Sequence, residues 1–245
     1  MNRLFCFLSS SLVLLLAATS IQAQIPPEVR AFQEAAGDRS VLYRGKQANR
    51  ATFPANGHLY WETPEYAVGE IVFDEKCYGD ISLNIDAYAQ CALARLSRGQ
   101  VSVSLPAERV SSLTFDGRRF VTVTSDPAGV LPDGFFEVIG DGPEQVYKHV
   151  VKHLSSSTVN VNGKAIGYYD ENYNTKLTRY FSISTSYYFR DRDGHFSRFR
   201  THGQLLRKFP DRRREIRRSL RAQGIDPFDV GFDAYCLAIL NEAAR

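Results

Sequence analysis

The sequence predicts an α+β protein built mainly from an antiparallel β-sheet, a sandwich or half-open barrel, with a short N-terminal helix and a C-terminal helical appendage. Apolar and polar residues alternate with period two over Ile81–Ile85, Val101–Leu105 and Phe181–Phe189, as in strands with one buried face. Asp-Gly pairs at 116–117 and 193–194 separate short apolar runs, as hairpin turns do. Beyond residue 200 the apolar residues change to helical spacing.

The first 23 residues predict a secretory signal peptide. Arg3 supplies a positive charge, Leu4–Ala17 is mostly apolar, and small or polar residues lead to Ala23 before Gln24. A retained membrane anchor is the alternative, but this apolar run is shorter than the roughly 20 residues that a spanning helix needs. Cys6 lies too early for a lipid anchor at the cleavage site. We therefore expect a periplasmic or secreted mature protein.

Within the mature chain, residues 24–200 are expected to form the β domain and residues 201–245 a helical segment packed on it. Pro26 and Pro27 can start the first helix, and Gly37 can end it. Residues 155–176 are rich in Ser, Asn, Gly and Asp, which indicates a loop or a weak hairpin. The overall composition, 44% hydrophobic and 23% charged, is that of a globular protein.

Three helices are expected in the last 45 residues. Thr201 can cap a short helix that Pro210 ends, and Asp211 can cap a second helix over 212–223 that ends at Gly224. A final helix would place one apolar stripe against the sheet, formed by Phe228, Phe232, Tyr235, Cys236, Ile239 and Leu240.

The cysteines predict no disulfide framework. Cys77, Cys91 and Cys236 remain after cleavage, an odd and sparse set. Cys77 and Cys91 form the pair closest in sequence, whereas buried free thiols are the favoured interpretation because cysteine packs as a small apolar residue.

No catalytic motif stands out. The sequence contains no nucleophile elbow, zinc helix, phosphate loop or Cys-x-x-Cys pair. His149 and His153 lack a nearby third ligand, so solvated surface histidines are expected rather than a metal site. Asp191-x-Asp193-Gly194 resembles a calcium loop but is better interpreted as a hairpin turn. We assign no catalytic residue, metal or cofactor.

Charge is distributed unevenly. Residues 187–221 contain twelve basic and four acidic residues, a net charge of +8 in a chain whose total is +3. On the helix over 212–221 only Ile216 and Leu220 suit a core, so most guanidinium groups must reach solvent or acids of the same protein. We predict an anion-binding site formed by Arg213, Arg214, Arg217 and Arg218. The alternative is a solvated basic helix balanced by the acidic sheet.

Two functional hypotheses follow. The first is an exported, soluble, non-enzymatic binding or scaffolding protein of the bacterial envelope, whose basic C-terminal face takes a lipid headgroup, a polysaccharide or an acidic protein. Export disfavours a nucleic-acid partner. The second is an extracytoplasmic hydrolase of envelope or environmental polymers, with Asp170 and Glu171 as candidate carboxylates.

Several segments resemble a family of secreted proteins common in Bacteroidota, for which no activity is established. The matching segments, in order along the chain, are 69–74, 108–117, 134–138 with 141–143, 187–189, 193–194 and 205–216. The chain departs from the family pattern at Glu75, where such proteins often have Gly after the preceding Phe-Asp pair. The resemblance implies an exported protein and transfers no catalytic residue.

Overall fold

The computed structural model describes residues 27–48, 55, 57–96, 99, 101–159 and 176–245. The predicted signal peptide and the candidate carboxylates Asp170 and Glu171 lie outside these residues. The fold class is confirmed as mixed α+β, with one open antiparallel sheet of eleven strands, a short N-terminal helix and C-terminal helices.

The strands are numbered in chain order. They are β1 (Lys46–Gln47), β2 (Ala67–Phe73), β3 (Lys76–Asp86), β4 (Cys91–Arg95), β5 (Ser102–Leu105), β6 (Val110–Phe115), β7 (Arg118–Val123), β8 (Gly134–Ile139), β9 (Gln145–Val159), β10 (Lys176–Arg190) and β11 (Phe196–Phe199). The helices are α1 (Pro27–Ala36), α2 (His202–Leu206), α3 (Arg213–Ala222) and α4 (Phe232–Ala244). The order in the sheet is β1-β5-β4-β3-β2-β6-β7-β8-β9-β10-β11.

The predicted hairpin turns are confirmed. Asp116 and Gly117 join β6 to β7 with φ values of +52° and +67°. Two consecutive positive φ angles characterise the tight turn whose twist matches that of antiparallel strands. Gly194, with a φ of +87°, lies in the turn between β10 and β11.

The sheet curls because the turn between β3 and β4 docks on β8 and β9. The backbone N–H of Lys152 donates to the Ala87 carbonyl at 2.9 Å. The Gln90 side chain donates to the Val150 carbonyl at 2.9 Å and accepts from the Phe135 N–H at 3.2 Å. These bonds enclose a first core, in which Trp61 packs edge-on against Phe120.

A second core lies where the C-terminal helices cover β8 to β11. Sheet residues such as Val146 and Phe189 contact Leu205 of α2, Ile216 of α3 and Ile239 of α4. Both predicted core residues of α3, Ile216 and Leu220, are buried. The Thr201 hydroxyl caps α2 as predicted, accepting from the Gln204 N–H at 3.2 Å.

Two details of the C-terminal prediction are wrong. Asp211 does not cap α3: the cap residue is Arg212, whose guanidinium bonds Glu215 and the Ala243 carbonyl. Phe228 does not belong to the apolar stripe of α4, because that helix starts four residues later and Phe228 is 95% exposed. The chain turns at residues 226–229, which places Phe228 outside the helix.

The structure also describes the cysteines and the ends of the segment 155–176. Cys77, Cys91 and Cys236 are free thiols, and the Ser104 hydroxyl donates to the Cys91 sulfur at 3.0 Å. Strand β9 extends through residue 159 and pairs with the start of β10, so the ends of the segment 155–176 form a hairpin rather than a loop. Within the described part of the chain, no helix has the length and apolar character needed to cross a membrane.

Gly69 provides a test of the sheet geometry. Its Cα faces the Thr114 carbonyl so closely that a Cβ would overlap the oxygen. We expect Gly69→Ala to lower the free energy of unfolding by about 1–3 kcal/mol, as overpacking does. Urea unfolding followed by the fluorescence of Trp61 measures it. Gly142→Ala is the control, since its Cβ would meet nothing closer than 3.9 Å, and an equal loss in both variants would contradict the expectation.

Candidate functional site

The four predicted arginines lie on α3, three of them on its exposed side and Arg213 at the edge of its core contacts. Arg214, Arg217 and Arg218 are exposed and Arg213 is half-buried, whereas Ile216 and Leu220 face the second core. We call Arg213, Arg214, Arg217 and Arg218 the arginine face.

The arginine face has no partner within the protein, as far as the structure describes it. The neighbouring Arg212 pairs with Glu215 at 3.2 Å, but none of the four forms an ion pair with a described residue. Direct pairing with acids of the sheet is therefore not seen in the described part of the chain. The guanidinium groups remain available to an external anion.

Three of the four arginines line one groove. Arg213, Arg214 and Arg217, with Pro210 and Asp211, surround a depression of about 530 Å³. The Nε of Arg213 is buried and has no hydrogen-bond acceptor among the described residues. A buried donor without an acceptor is destabilising by about 1–3 kcal/mol, so this Nε is a cost to the fold among the described residues.

A charge network centred on the buried Lys148 and Glu137, which the sequence analysis missed, lies on the sheet below the helices. The ammonium of Lys148 on β9 contacts Asp233 at 2.7 Å, Glu62 at 3.2 Å and Glu137 at 3.3 Å. Arg118 on β7 contacts Glu62 at 2.6 Å, and the Tyr187 hydroxyl donates to Asp233 at 2.7 Å. We call these six residues the Lys148 network.

Contacts within the Lys148 network shift the pKa values of Glu62, Lys148 and Tyr187. The hydrogen bond from Arg118 lowers the pKa of Glu62. Burial alone would lower the pKa of Lys148, but the bond to Asp233 and the charges of the three carboxylates raise it overall. Burial and the bond to Asp233 raise the pKa of Tyr187. A carboxylate with a lowered pKa, such as that of Glu62, does not suit a general acid. We therefore assign the network a structural role, which is to connect parts of the fold.

A signal for this network was present in the sequence. Glu137 interrupts an apolar strand, and Lys148 occupies an inward position between Val146 and Val150. Glu137, Lys148 and Tyr187 are direct cross-strand partners on one face. Opposite charges at inward positions of neighbouring strands predict a buried pair once the register is known.

A second cavity, about 510 Å³, lies beside β4 and β5 and is lined by Asp86, Cys91 and Ser104 among others. Burial raises the pKa of the Cys91 thiol to about 11, which keeps it protonated and poorly nucleophilic. The Asp86 carboxylate accepts the N–H groups of Tyr88 and Ala89 at 2.9 and 2.7 Å. These groups stabilise the turn between β3 and β4 and do not form a nucleophile–base pair.

A buried lysine ties residues 57–61 to the sheet. The Lys152 ammonium donates to the His58 carbonyl at 2.9 Å and lies 3.2 Å from His58 Nδ1. Burial lowers the pKa values of Lys152 and His58, and it raises that of Asp86. The arrangement fixes the segment that carries Glu62 into the Lys148 network.

The predicted histidine environments are correct for His153 and wrong for His149. His153 is exposed, but His149 is buried and stacks on Phe136 with 4.7 Å between ring centroids. Burial lowers the pKa of His149 to about 4. The sheet buries His149 because its outer face is itself covered by a third apolar cluster that includes Phe136 and Tyr188.

The aspartates of the last hairpin form a turn. Possible ligand atoms of Asp191, Asp193 and His195 lie within 4.8 Å of one another. The Asp191 carboxylate accepts the N–H groups of Asp193 at 3.0 Å and His195 at 2.8 Å, which explains its position. The interpretation of this motif as a hairpin turn agrees with the geometry.

Comparison with known proteins returns no match to a family model, a curated protein or a solved structure. The resemblance of several segments to a secreted Bacteroidota family therefore stays a prediction.

The Lys148 network can be tested through its effect on stability. Lys148→Met leaves three carboxylates without their shared cation, so we expect a loss of about 3 kcal/mol or more at pH 7. Because the pKa of Glu62 is lowered from 4.5, its contribution is present above that value and is lost as the pH falls through the folded-state pKa. In urea titrations, the free energy of unfolding of Lys148→Met should approach that of the wild type towards pH 3. The exposed-lysine control Lys208→Met should change the free energy of unfolding little.

His149 generates a separate pH dependence. With a pKa near 4 in the folded state and 6.5 in the unfolded state, the neutral imidazole contributes stability that is lost as the pH falls from 6.5 to 4. We expect His149→Leu to flatten the pH dependence of unfolding over this window, whatever its effect on packing. His153→Leu, on the same strand, should keep the wild-type slope; a wild-type slope in His149→Leu would contradict the assignment.

Proposed function

We propose that the chain is an exported, non-enzymatic binding or scaffolding protein whose arginine face takes an anionic partner. The observation that carries this proposal is the groove on α3. Three guanidinium groups line it, none forms an ion pair with a described residue, and one buried Nε lacks an acceptor.

The arrangement of charge on α3 is unfavourable in the absence of an anion. Arg213 and Arg217 are four residues apart, as are Arg214 and Arg218, and like charges at this spacing destabilise a helix by about 0.2–0.5 kcal/mol per pair. Arg213 and Arg214 also occupy the first turn, where the helix dipole disfavours cations. A bound anion would relieve both repulsions at once.

Guanidinium chemistry defines the class of partner. The planar fork of arginine donates two parallel hydrogen bonds to a carboxylate, sulfate or phosphate group. Several arginines on consecutive helical turns suit a partner with repeated anionic groups better than a single small anion. Asp211 lines the groove as well, which leaves the groove positive but not uniformly so.

For the competing hydrolase hypothesis, the described residues offer Asp86, whose pKa is raised by burial and which lines the cavity beside β4 and β5. One oxygen of its carboxylate already accepts the N–H groups of Tyr88 and Ala89, which assigns it to the turn. Asp170 and Glu171 lie outside the described residues. The carboxylates that do converge, in the Lys148 network, contact Lys148 and Arg118 at short distances. Hydrolysis of a glycosidic bond needs a carboxylic acid with a raised pKa facing the substrate, which Glu62 does not provide.

Charge reversal of the arginine face tests the proposal. A variant with Arg213, Arg214, Arg217 and Arg218 all changed to Glu should lose retention on a sulfated polysaccharide matrix at moderate salt. Arg214, Arg217 and Arg218 are exposed, and substitutions at exposed positions change the free energy of unfolding by no more than about 0.5 kcal/mol each. Arg213 is only half-buried, so we expect the fold to persist. Elution salt and urea unfolding, measured side by side, give both readouts.

The matched control reverses Arg30, Arg39, Arg44 and Lys46, four exposed cations of the N-terminal part. It changes the net charge equally, so it separates a specific face from overall charge. We expect the control to keep most of its retention. Equal loss in both variants, unchanged retention of the first, or its unfolding would each refute the assignment of the arginine face as the binding site.

A further inference from the structure

Phe228 is the most exposed large apolar residue of the described chain. It lies in the connection between α3 and α4 with 95% of its surface in contact with solvent. Single exposed apolar residues are common, so exposure alone implies nothing. The local structure and the neighbouring charges make this one informative.

The connection holds Phe228 outward in a rigid turn. Its N–H donates to the Asp226 carboxylate at 2.8 Å, and the N–H groups of Asp229 and Val230 donate to the Asp226 carbonyl at 3.2 and 3.1 Å. Pro227 fixes the backbone between these bonds. These bonds hold the backbone of the turn, which leaves the Phe228 ring on the surface.

The turn lies next to the arginines of α3. The N–H groups of Gly224 and Ile225 donate to the carbonyls of Arg221 and Leu220 at 3.0 and 2.9 Å, so the connection is bonded to the last turn of α3. Phe228 follows Ile225 by three residues. The exposed ring therefore lies near the C-terminal end of α3, the end that carries Arg218 and Arg221.

We propose that the arginine face and Phe228 together dock the protein on an anionic lipid bilayer, with the ring in the interfacial layer and the guanidinium groups on lipid phosphates. This inference rests on the proposed function and names its partner. Peripheral attachment commonly combines basic residues with an adjacent aromatic or leucine side chain. Each basic residue near such a surface adds attraction, and aromatic rings favour the headgroup level.

An anionic bilayer can bind both the arginine face and the exposed ring of Phe228. A soluble anionic polysaccharide or an acidic protein segment can occupy the groove through the guanidinium groups alone, which leaves Phe228 in water. In a bilayer the phosphates lie directly above an apolar layer, so cations and a protruding ring a short distance apart are satisfied together.

Asp229 can be used to test whether the partner is anionic. It is exposed and follows Phe228 directly, so on an anionic bilayer its carboxylate faces the phosphates. Asp229→Asn should therefore strengthen binding to anionic vesicles. A cationic group on a protein partner would give the opposite result, because the substitution would then remove an attraction.

Vesicle binding provides the main experiment. Purified protein is sedimented with vesicles of equal parts phosphatidylglycerol and phosphatidylcholine, and with phosphatidylcholine alone; all variants share one N-terminus, so differences report the substitution. We expect binding to the anionic vesicles only, and a loss of about tenfold or more for Phe228→Ala. Ile183→Ala, at a residue 61% exposed on β10, should bind as wild type.

Phe228→Trp measures insertion directly. The variant should bind as wild type and its fluorescence should shift to the blue on anionic vesicles, with quenching by lipids brominated on their acyl chains. The native Trp61 is 4% exposed and supplies a constant background in the wild-type control. A Trp at position 228 that stays in water while the protein is bound would overturn the insertion.

The outcomes separate this inference from the proposed function. If the arginine-face variant loses retention on the polysaccharide matrix while the wild type ignores anionic vesicles, the proposed function stands and the bilayer inference falls. Wild-type vesicle binding by Phe228→Ala, or weaker binding by Asp229→Asn, also overturns it. If charge reversal changes neither matrix nor vesicle binding, both proposals fall.

Discussion

The buried ammonium of Lys148 joins the two halves of this molecule. Its cross-strand row, with Glu137 on one side and Tyr187 on the other, runs between the core of the curled sheet and the core under the helices. Val146 and Val150 lie two residues before and two residues after Lys148 on β9, and they belong to different cores. A buried cation is costly without close anionic partners, so Glu137 on β8 and the carboxylates that two other segments bring stabilise Lys148 where it lies.

The position of the arginine face depends on that joint. Asp233 lies in the first turn of α4 and is anchored by both Lys148 and Tyr187, which fixes where α4 begins on the sheet. Helix α3 packs on α4 through the second core, and the turn with Phe228 connects the two helices. A binding surface gains affinity when its groups are held in place beforehand, and here the Lys148 network provides that support.

Local signals predicted most of the fold, and the discrepancies have physical causes. Asp-Gly turns and period-two strands are local, so the hairpins and the antiparallel class follow from the sequence. Strand β8 does not show the period-two alternation because both of its faces are buried. Glu137 therefore lies within an apolar run of the sequence. The Lys148 network needs the register of three strands and the position of a helix, and no local rule supplies these. Phe228 matched the helical spacing of α4, but Pro227 and the Asp226 turn set the helix start beyond it.

The surface and the interior treat charge in opposite ways, and this contrast bears on function. Inside, Lys148 and Arg118 are surrounded by carboxylates at short distances, so every charge has a partner. On α3 the arginines lie at repulsive spacing, and two of them occupy the helix end where the dipole disfavours cations. Charges on an exposed helix are easier to pair than charges in the interior, so acidic residues along α3 would cost little stability. Guanidinium groups without an ion-pair partner among the described residues are the observation on which the proposed anionic partner rests.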